Sequence, residues 1–362
     1  MSQQVAVLGT GLIGGSLGLR LGATASYEVI GYDERPAEAA RAHALGAVAR
    51  IAATPQEAVA GADLVVVAVP VDRMEELFVA IAGALREPAV VMDVGSSKSA
   101  VVAAGEAAFG SRFIGGHPMA GSERRGVEAA DPSLFDDAWW ILTPTARTSG
   151  EAYARARQLV AAVGARPVAV TPDTHDTLVA RLSHLPQLVA AALVGLTAAE
   201  ADPASLGLAA GGFRDVTRIA GSDPDLWVAI LRSNRLAVLE ALSGYRTELE
   251  RVAGLLEKDS WSDLRAFLES ARRARLELFA KPVYTGDPVV LTMLIPDRPG
   301  VLAEVTTAAG ALGANIEDVS IFHSTEGGRG RLELVVAGPE AATSLSAKLA
   351  ALGYHVERGL PE

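Results

Sequence analysis

The sequence predicts an α/β protein in three parts: a doubly wound sheet, then an all-α segment, then a small βαββαβ module. Three observations predict this. Short apolar runs alternate with helical stretches over the first 170 residues, strand signals vanish between about 172 and 280, and a shorter strand–helix rhythm returns after 288. The expected bounds are 1–171, 172–282 and 289–362.

In the first part, Val5-Ala6-Val7-Leu8 reads as a strand, followed by a glycine-rich turn, an apolar helix through Leu21 and a second strand at Glu28–Tyr32. A helix near Ala37–Leu45 leads to Leu64–Val69 and then Ala89–Val94, both apolar throughout, as strands of a parallel sheet covered on both faces are. Trp139–Leu142 and Val168–Val170 read as its last strands. The second part is rich in alanine and leucine. Val228, Leu231, Val238, Leu242, Tyr245, Leu249, Val252 and Leu256 recur at helical spacing, as a core stripe or equally as a dimer face. Lys281-Pro282 and Gly286-Asp287-Pro288 are linker signals. Beyond them come strand (Val289–Ile295), helix (Val301–Leu312), strand (Val319–His323), a Gly327-Gly328 turn, strand (Arg331–Ala337), helix (Pro339–Leu352) and a closing strand from Tyr354, a ferredoxin-like order.

Composition removes whole classes of function. The 362 residues carry 32 basic and 43 acidic side chains, a net charge of −11, which argues against nucleic acid or an anionic membrane as main partner. There is no cysteine, so disulfides, thiolate catalysis and Cys-ligated zinc are excluded, and a cytoplasmic protein is expected. The N-terminus lacks the basic region of a signal peptide, and the longest apolar runs, such as Leu64–Val71, fall far short of a membrane span. The histidines at 43, 175, 323 and 355 show no metal-ligand spacing, and no metal is expected.

Gly9-Thr10-Gly11-Leu12-Ile13-Gly14 fits G-x-G-x-x-G directly after a strand and at the opening of a helix, where a Rossmann-type domain binds a dinucleotide. The first glycine allows the tight turn, the second the approach of the pyrophosphate, the third close packing of helix on strand. Asp33 ends the second strand, 19 residues after Gly14, placed for the ribose 2′-hydroxyl; its charge would repel a 2′-phosphate and favours NAD over NADP, with Arg35 nearby weakening that preference. Val69-Pro70 closes the next apolar strand, either as a plain strand end or as the wall of the nicotinamide side.

Two loops should reach the same crevice: Asp93-Val94-Gly95-Ser96-Ser97-Lys98, and Gly115-Gly116-His117-Pro118-Met119-Ala120-Gly121-Ser122-Glu123. On residue type His117 is either a general base, with Ser96 placed to orient it, or a histidine capping a turn. These stretches, with Gly-Leu-Ile-Gly-Gly-Ser at 11–16, Gly-Tyr-Asp at 31–33, Ser183-His184-Leu185-Pro186, Gly211-Gly212-Phe213-Arg214-Asp215-Val216-Thr217-Arg218-Ile219-Ala220 and Ser222-Asp223-Pro224-Asp225-Leu226-Trp227, resemble the prephenate dehydrogenase family of tyrosine biosynthesis over about residues 3–282. The resemblance implies oxidative decarboxylation of prephenate, a small dianion, with NAD. It casts His117 as the base, Ser96 as its support and Arg218 as the holder of a substrate carboxylate. His184 and Asp215 would shape the far side of the pocket, Ser122 and Glu123 its mouth, and Trp227 would reach in from a partner subunit of a homodimer.

Leu294-Ile295-Pro296-Asp297-Arg298-Pro299-Gly300-Val301 and Gly313-Ala314-Asn315-Ile316 resemble an ACT domain, an amino-acid sensor. That resemblance implies an effector, tyrosine in this pathway, at Asp297, Arg298, Pro299, Gly300, Val301, Asn315 and Ile316; a module that only dimerises is the alternative. An arogenate dehydrogenase would present the same motifs. A β-hydroxyacid dehydrogenase would need a catalytic lysine, and Ser183–Phe213 contains none. A non-catalytic nucleotide and amino-acid sensor would leave His117 and Arg218 without tasks.

Overall fold

The computed structural model describes residues 2–121, 124, 126–200, 210–279, 287–296, 298, 300–323 and 329–359. By packing, the chain divides into two compact units, Met1–Glu250 and Arg251–Glu362.

The first unit opens with β1 (Gln3–Leu8), α1 (Leu12–Gly22), β2 (Tyr27–Tyr32), α2 (Pro36–Ala44), β3 (Arg50–Ile51), α3 (Pro55–Val59), β4 (Leu64–Val67), α4 (Val71–Ala82), β5 (Val90–Asp93) and α5 (Ser99–Phe109). It continues with β6 (Phe113–Pro118), β7 (Trp139–Thr143), α6 (Gly150–Ala162) and β8 (Arg166–Ala169). Among the described residues these strands form one sheet in the order β3-β2-β1-β4-β5-β6-β7-β8. The doubly wound part is as expected, and the order reverses between β1 and β4, which opens a crevice at the carboxyl ends of the strands. Side chains alternate between two cores: Val5, Val7, Val66 and Met92 pack on one face, Ala6, Leu8, Val65, Val67 and Val91 on the other. Each fully buried Val, Leu or Met among them contributes roughly 1.5–3 kcal/mol, which explains why these strands read as unbroken apolar runs.

Three details depart from the sequence reading. β3 and α3 are too short to stand out in the apolar pattern. β7 pairs antiparallel with β6, and β8 runs parallel to β7, so the last two strands oppose the rest of the sheet. Residues 119–138 hold a 3₁₀ turn at Val127–Ala129 and no crossover helix among their described residues, so the chain returns alongside β6 rather than over it.

Helices follow: α7 (Pro172–Val179), one π turn at Ala180–His184, α8 (Leu185–Glu200), α9 (Gly211–Thr217), a 3₁₀ turn at Arg218–Gly221, α10 (Pro224–Ser233) and α11 (Arg235–Glu257). α7 packs on α5, and α10 on α4, so the helical segment closes onto the edge of the crevice. The stripe expected on one long helix is divided at Asn234, which ends α10. Of its members, Val238 is buried while Val228, Leu242, Leu249 and Leu256 are exposed, so it serves only in part as core of this chain. Pro172–Ala199, 28 residues whose most apolar 18-residue window has a mean hydropathy of 1.5, is long and apolar enough to cross a membrane by length and composition alone, with 17% of that window buried. Asp176, Arg181 and His184 punctuate the stretch, so it holds no unbroken apolar run of that length.

The second unit holds α12 (Trp261–Phe279), β9 (Pro288–Pro296), α13 (Val301–Ala311), β10 (Ile316–His323), β11 (Arg329–Ala337), α14 (Pro339–Ala351) and β12 (Val356–Gly359). The four strands form an antiparallel sheet in the order β10-β11-β9-β12, the expected βαββαβ module. Leu291, Met293, Leu332, Leu334, Val305, Leu345 and Leu349 form its core.

Candidate active site

The glycine loop is shaped by close contacts on one side and space on the other. Gly9 has φ +95°, the left-handed region that a side chain disfavours, and its N–H donates to Tyr32 O at 2.8 Å. A Cβ on Gly14 would collide with the Gly9 carbonyl oxygen and the Val7 side chain, whereas one on Gly11 would meet nothing within 4 Å. Leu12 and Ile13 open α1, whose first turn carries no acidic residue, leaving its amides for an anion. Asp33 belongs to the same structure: Oδ2 accepts from Thr10 N (2.9 Å) and Thr10 Oγ1 (3.3 Å), Oδ1 from Arg35 N (3.0 Å). Val69 borders Gly9, and Pro70 caps α4. Open space at Gly11, packed backbone at Gly9 and Gly14, and a carboxylate at the end of β2 fit a dinucleotide.

His117 lies inside β6 rather than on a loop, because pairing with Ile141 of β7 extends the strand through Pro118. Its Nδ1 is 2.8 Å from His175 Nε2 of α7, and His175 Nδ1 is 2.9 Å from Asp176 Oδ1. Ser96, expected to orient His117, is half-buried and makes no side-chain hydrogen bond among the described residues; His175 makes the contact instead. Asp176 in turn accepts the backbone N–H groups of Lys98 (2.7 Å) and Ser99 (2.8 Å) at the start of α5. One carboxylate of the helical segment thereby caps a helix of the nucleotide domain.

Beneath lies a buried ion pair. Asp93 and Lys98 are both fully buried and paired to each other. Asp93 Oδ2 also accepts from Gly95 N (2.7 Å), and Oδ1 from Gly116 N (3.2 Å), next to His117. The pair therefore ties the β5–α5 loop to the strand that carries His117. Burial pushes Asp93 up and Lys98 down, opposed in both by their mutual attraction.

His184, 1% exposed, sits on the π turn; its Nδ1 is 3.3 Å from Asn234 Nδ2, which donates to the Asp176 carbonyl at 2.8 Å. π turns often mark functional positions. Ser97 Oγ and Ser233 Oγ, 2.6 Å apart, add a further bond between the two domains. The electrostatics are sorted. Burial, then His175, Lys98 and His184, push the His117 ring well below the ordinary histidine range. Burial likewise lowers His175, and lowers His184 to about 4. Burial pushes Asp176 up, but hydrogen bonds from His175, Ser99 and Lys98 outweigh it and hold the carboxyl at about 2. At neutral pH the site therefore has three neutral imidazoles around one carboxylate.

Arg218 opens the 3₁₀ turn that packs on α8, and Asp215 precedes it on exposed α9. Trp227, expected to reach in from a partner subunit, packs edge-to-face on His184 of its own chain, ring centroids 5.9 Å apart at 84°. Ser122 and Glu123 lie outside the described residues, as do Asp297 and Pro299. In the C-terminal module Gly300, φ +91°, caps α13 and Val301 is buried; Arg298 pairs with Glu304 at 3.0 Å. Asn315 and Ile316 enter β10 at the other end of the sheet. Register sets Ile316 against Val336 and Pro296 against Arg329, so the stretch of β11 between them, about 24 Å at 3.4 Å per residue, separates the two clusters within one module.

His175, Asp176 and Asn234 are the site residues that sequence reasoning missed. A usable signal existed for two of them: Thr171-Pro172-Asp173-Thr174-His175-Asp176 is a helix start carrying adjacent titratable groups right after a strand of the sheet. Among the described residues no cluster is arranged to hold a metal ion.

Comparison with known proteins shows the family. Family models match in order: the prephenate dehydrogenase nucleotide-binding domain over residues 17–169, the prephenate dehydrogenase dimerization domain over 171–270, and the ACT domain over 289–353. The chain is 32% identical to a prephenate dehydrogenase of Bacillus subtilis (strain 168) over 345 residues, 92% of each protein. Among solved structures it resembles prephenate dehydrogenase of A. aeolicus, crystallised with hydroxyphenyl propionate and NAD+ (TM-score 0.73, 31% identity, 77% of this chain and 99% of that one). It also resembles Synechocystis arogenate dehydrogenase (TM-score 0.69, 30% identity, 76% and 100%). A dinucleotide crevice and a half-buried histidine on β6, set in a chain that matches all three models in order, place this protein in the prephenate dehydrogenase family, with a C-terminal ACT domain.

Proposed function

We propose that the protein is an NAD-dependent prephenate dehydrogenase that converts prephenate to 4-hydroxyphenylpyruvate, CO2 and NADH. The observation that carries this reading is His117: a neutral imidazole at the carboxyl end of β6, held through Nδ1 by His175. His117 takes the proton of the ring hydroxyl, and Ser96 lies on the neighbouring loop, within the same crevice. Gly9, Gly11, Leu12, Ile13 and Gly14 hold the pyrophosphate, Asp33 the ribose, and Val69 and Pro70 border the nicotinamide side. Bound NAD supplies the hydride acceptor. Loss of CO2 then makes the ring aromatic, which drives the step.

Arg218 grips a substrate carboxylate with its guanidinium fork, and Asp215 and His184 shape the far side of the pocket. Arg218→Gln is expected to raise KM by about tenfold or more with a smaller change in kcat; an unchanged KM in steady-state assays would assign the carboxylate to another residue. Only the neutral ring of His117 accepts a proton, and its folded pKa lies below 6.5, so the acidic limb of kcat/KM should fall below pH 6.5 and the rate should be level from there toward pH 8. A limb centred above pH 6.5 would remove His117 as its source.

The same reading extends to assembly and control. The domains run over 1–171, 172–282 and 289–362. Exposed Leu182, Leu196, Leu236, Leu239 and Leu249 on the apolar helices suit the interface of a homodimer, in keeping with the matched dimerization domain. Two ACT modules side by side would bring Arg298, Gly300 and Val301 of one to Asn315 and Ile316 of the other, which one module holds far apart, and tyrosine would bind there as feedback inhibitor. A cytoplasmic enzyme is consistent with the absence of cysteine.

Arogenate is the second reading, because the arogenate dehydrogenase of Synechocystis is as similar in identity as the prephenate enzyme of A. aeolicus. NADH formation with each substrate, with NAD or NADP, and with or without tyrosine, tests both. Turnover of prephenate with NAD and inhibition by tyrosine is the expected result. Turnover of arogenate alone would move the step, and silence with every pair would overturn the catalytic reading.

A further inference from the structure

The hydrogen bonds around Asp176 have a direction that chemistry assigns. Its carboxylate can only accept, and it accepts the Lys98 and Ser99 amides at 2.7 and 2.8 Å. The 2.9 Å contact with His175 therefore requires the proton on His175 Nδ1. A neutral imidazole carries one proton, so His175 Nε2 is a lone pair. The 2.8 Å contact with His117 then requires the proton on His117 Nδ1, which leaves His117 Nε2 bare. A second chain leaves the same residue through its backbone. The Asp176 carbonyl can only accept, so the Asn234 atom 2.8 Å away is the amide nitrogen. The same nitrogen also contacts His184 Nδ1, at 3.3 Å, which must accept its second hydrogen and so puts the His184 proton on Nε2.

We propose that Asp176, through its carboxylate and its backbone carbonyl, sorts the two histidines of the site into a proton acceptor, His117 Nε2, and a neutral donor, His184 Nε2–H, with His175 and Asn234 as the positioning residues that transmit the choice. The proposal rests on the reading of His117 as the base. A base needs a lone pair toward the hydroxyl, and an anionic substrate oxygen needs an N–H; the wrong tautomer at either ring reverses its role. Both rings stay neutral around pH 7, as their burial requires, and the Lys98 ammonium is engaged by Asp93, so neither charge nor a competing donor overrides the assignment.

The direct test is ¹⁵N NMR of the full chain with labelled histidine at neutral pH, the rings assigned from single-site variants. His117 should show a protonated Nδ1 and an unprotonated Nε2, and His184 the reverse. An unprotonated Nδ1 on His117, or a protonated Nδ1 on His184, would overturn the proposal. Kinetics give a second reading. His175→Leu should lower kcat by roughly 10²-fold, the lower end of a positioned base's contribution, with KM little changed. His175→Gln, whose amide oxygen can accept in place of Nε2, should recover most of it. Asn234→Asp, which cannot donate to the Asp176 carbonyl, should turn the His184 ring and raise KM. Equal rates in the Leu and Gln variants would overturn the relay. A fully active His117→Asn would instead overturn the base reading, while the nitrogen shifts still decide the tautomers.

Discussion

Replacing His117 by asparagine is expected to lower kcat by about 10²–10⁴-fold, the usual contribution of a positioned general base, with substrate still bound. The substitution is chosen for its shape. The asparagine amide nitrogen lies near the place of Nδ1 and can still donate to His175, so the contact between β6 and α7 is kept while the accepting nitrogen is lost. Loss of transition-state stabilisation alone should then appear as a fall in kcat with little change in KM. Steady-state NADH formation measures both, and near-normal turnover would remove His117 from the chemistry.

Asp93→Ala should have the largest effect on stability. It leaves the Lys98 ammonium buried without its partner, which costs about 3–5 kcal/mol, or roughly 6–20 °C in Tm for a unit of this size. It also removes the acceptor of the Gly95 and Gly116 amides, so activity should fall even below the new Tm, because Gly116 adjoins His117. Pairing Asp93→Asn with Lys98→Met removes both charges and should recover much of the stability, since a buried pair stabilises mainly against its own half. Calorimetry on the variants decides the matter. A Tm within about 2 °C of the parent for Asp93→Ala would mean that the lysine finds another partner or loses its proton at little cost.

Much of this molecule is legible in one dimension because much of it is local. The glycine loop, its flanking strand and helix, and Asp33 lie within 33 residues and obey backbone sterics, which a sequence displays directly. The unbroken apolar runs at β4 and β5 report burial on two faces, and the order of strands and helices after 288 suffices for the ACT module. His117 was visible by its neighbours, though not its place within a strand, which pairing with β7 decides. The partner of His117 was not visible. His175 is 58 residues away, and nothing in its own stretch says that α7 will dock on α5. Ser96 is nearer in the chain and was the natural guess, but proximity along a loop does not aim a hydroxyl. Trp227 likewise found His184 through the break at Asn234, a turn that periodicity alone runs straight through.

The sequence by itself determined the three-part architecture, the dinucleotide loop with its NAD-type acid, the candidate base and the absence of thiol chemistry. Those follow from residue identity and short-range rules. Only the tertiary structure decided the protonation states and their wiring: which histidine touches Asp176, why Asp93 and Lys98 need one another, and which imidazole nitrogen is left free. Such properties depend on desolvation and on hydrogen bonds made at angstrom precision between distant segments, and they exist only once the helical segment has closed over the sheet.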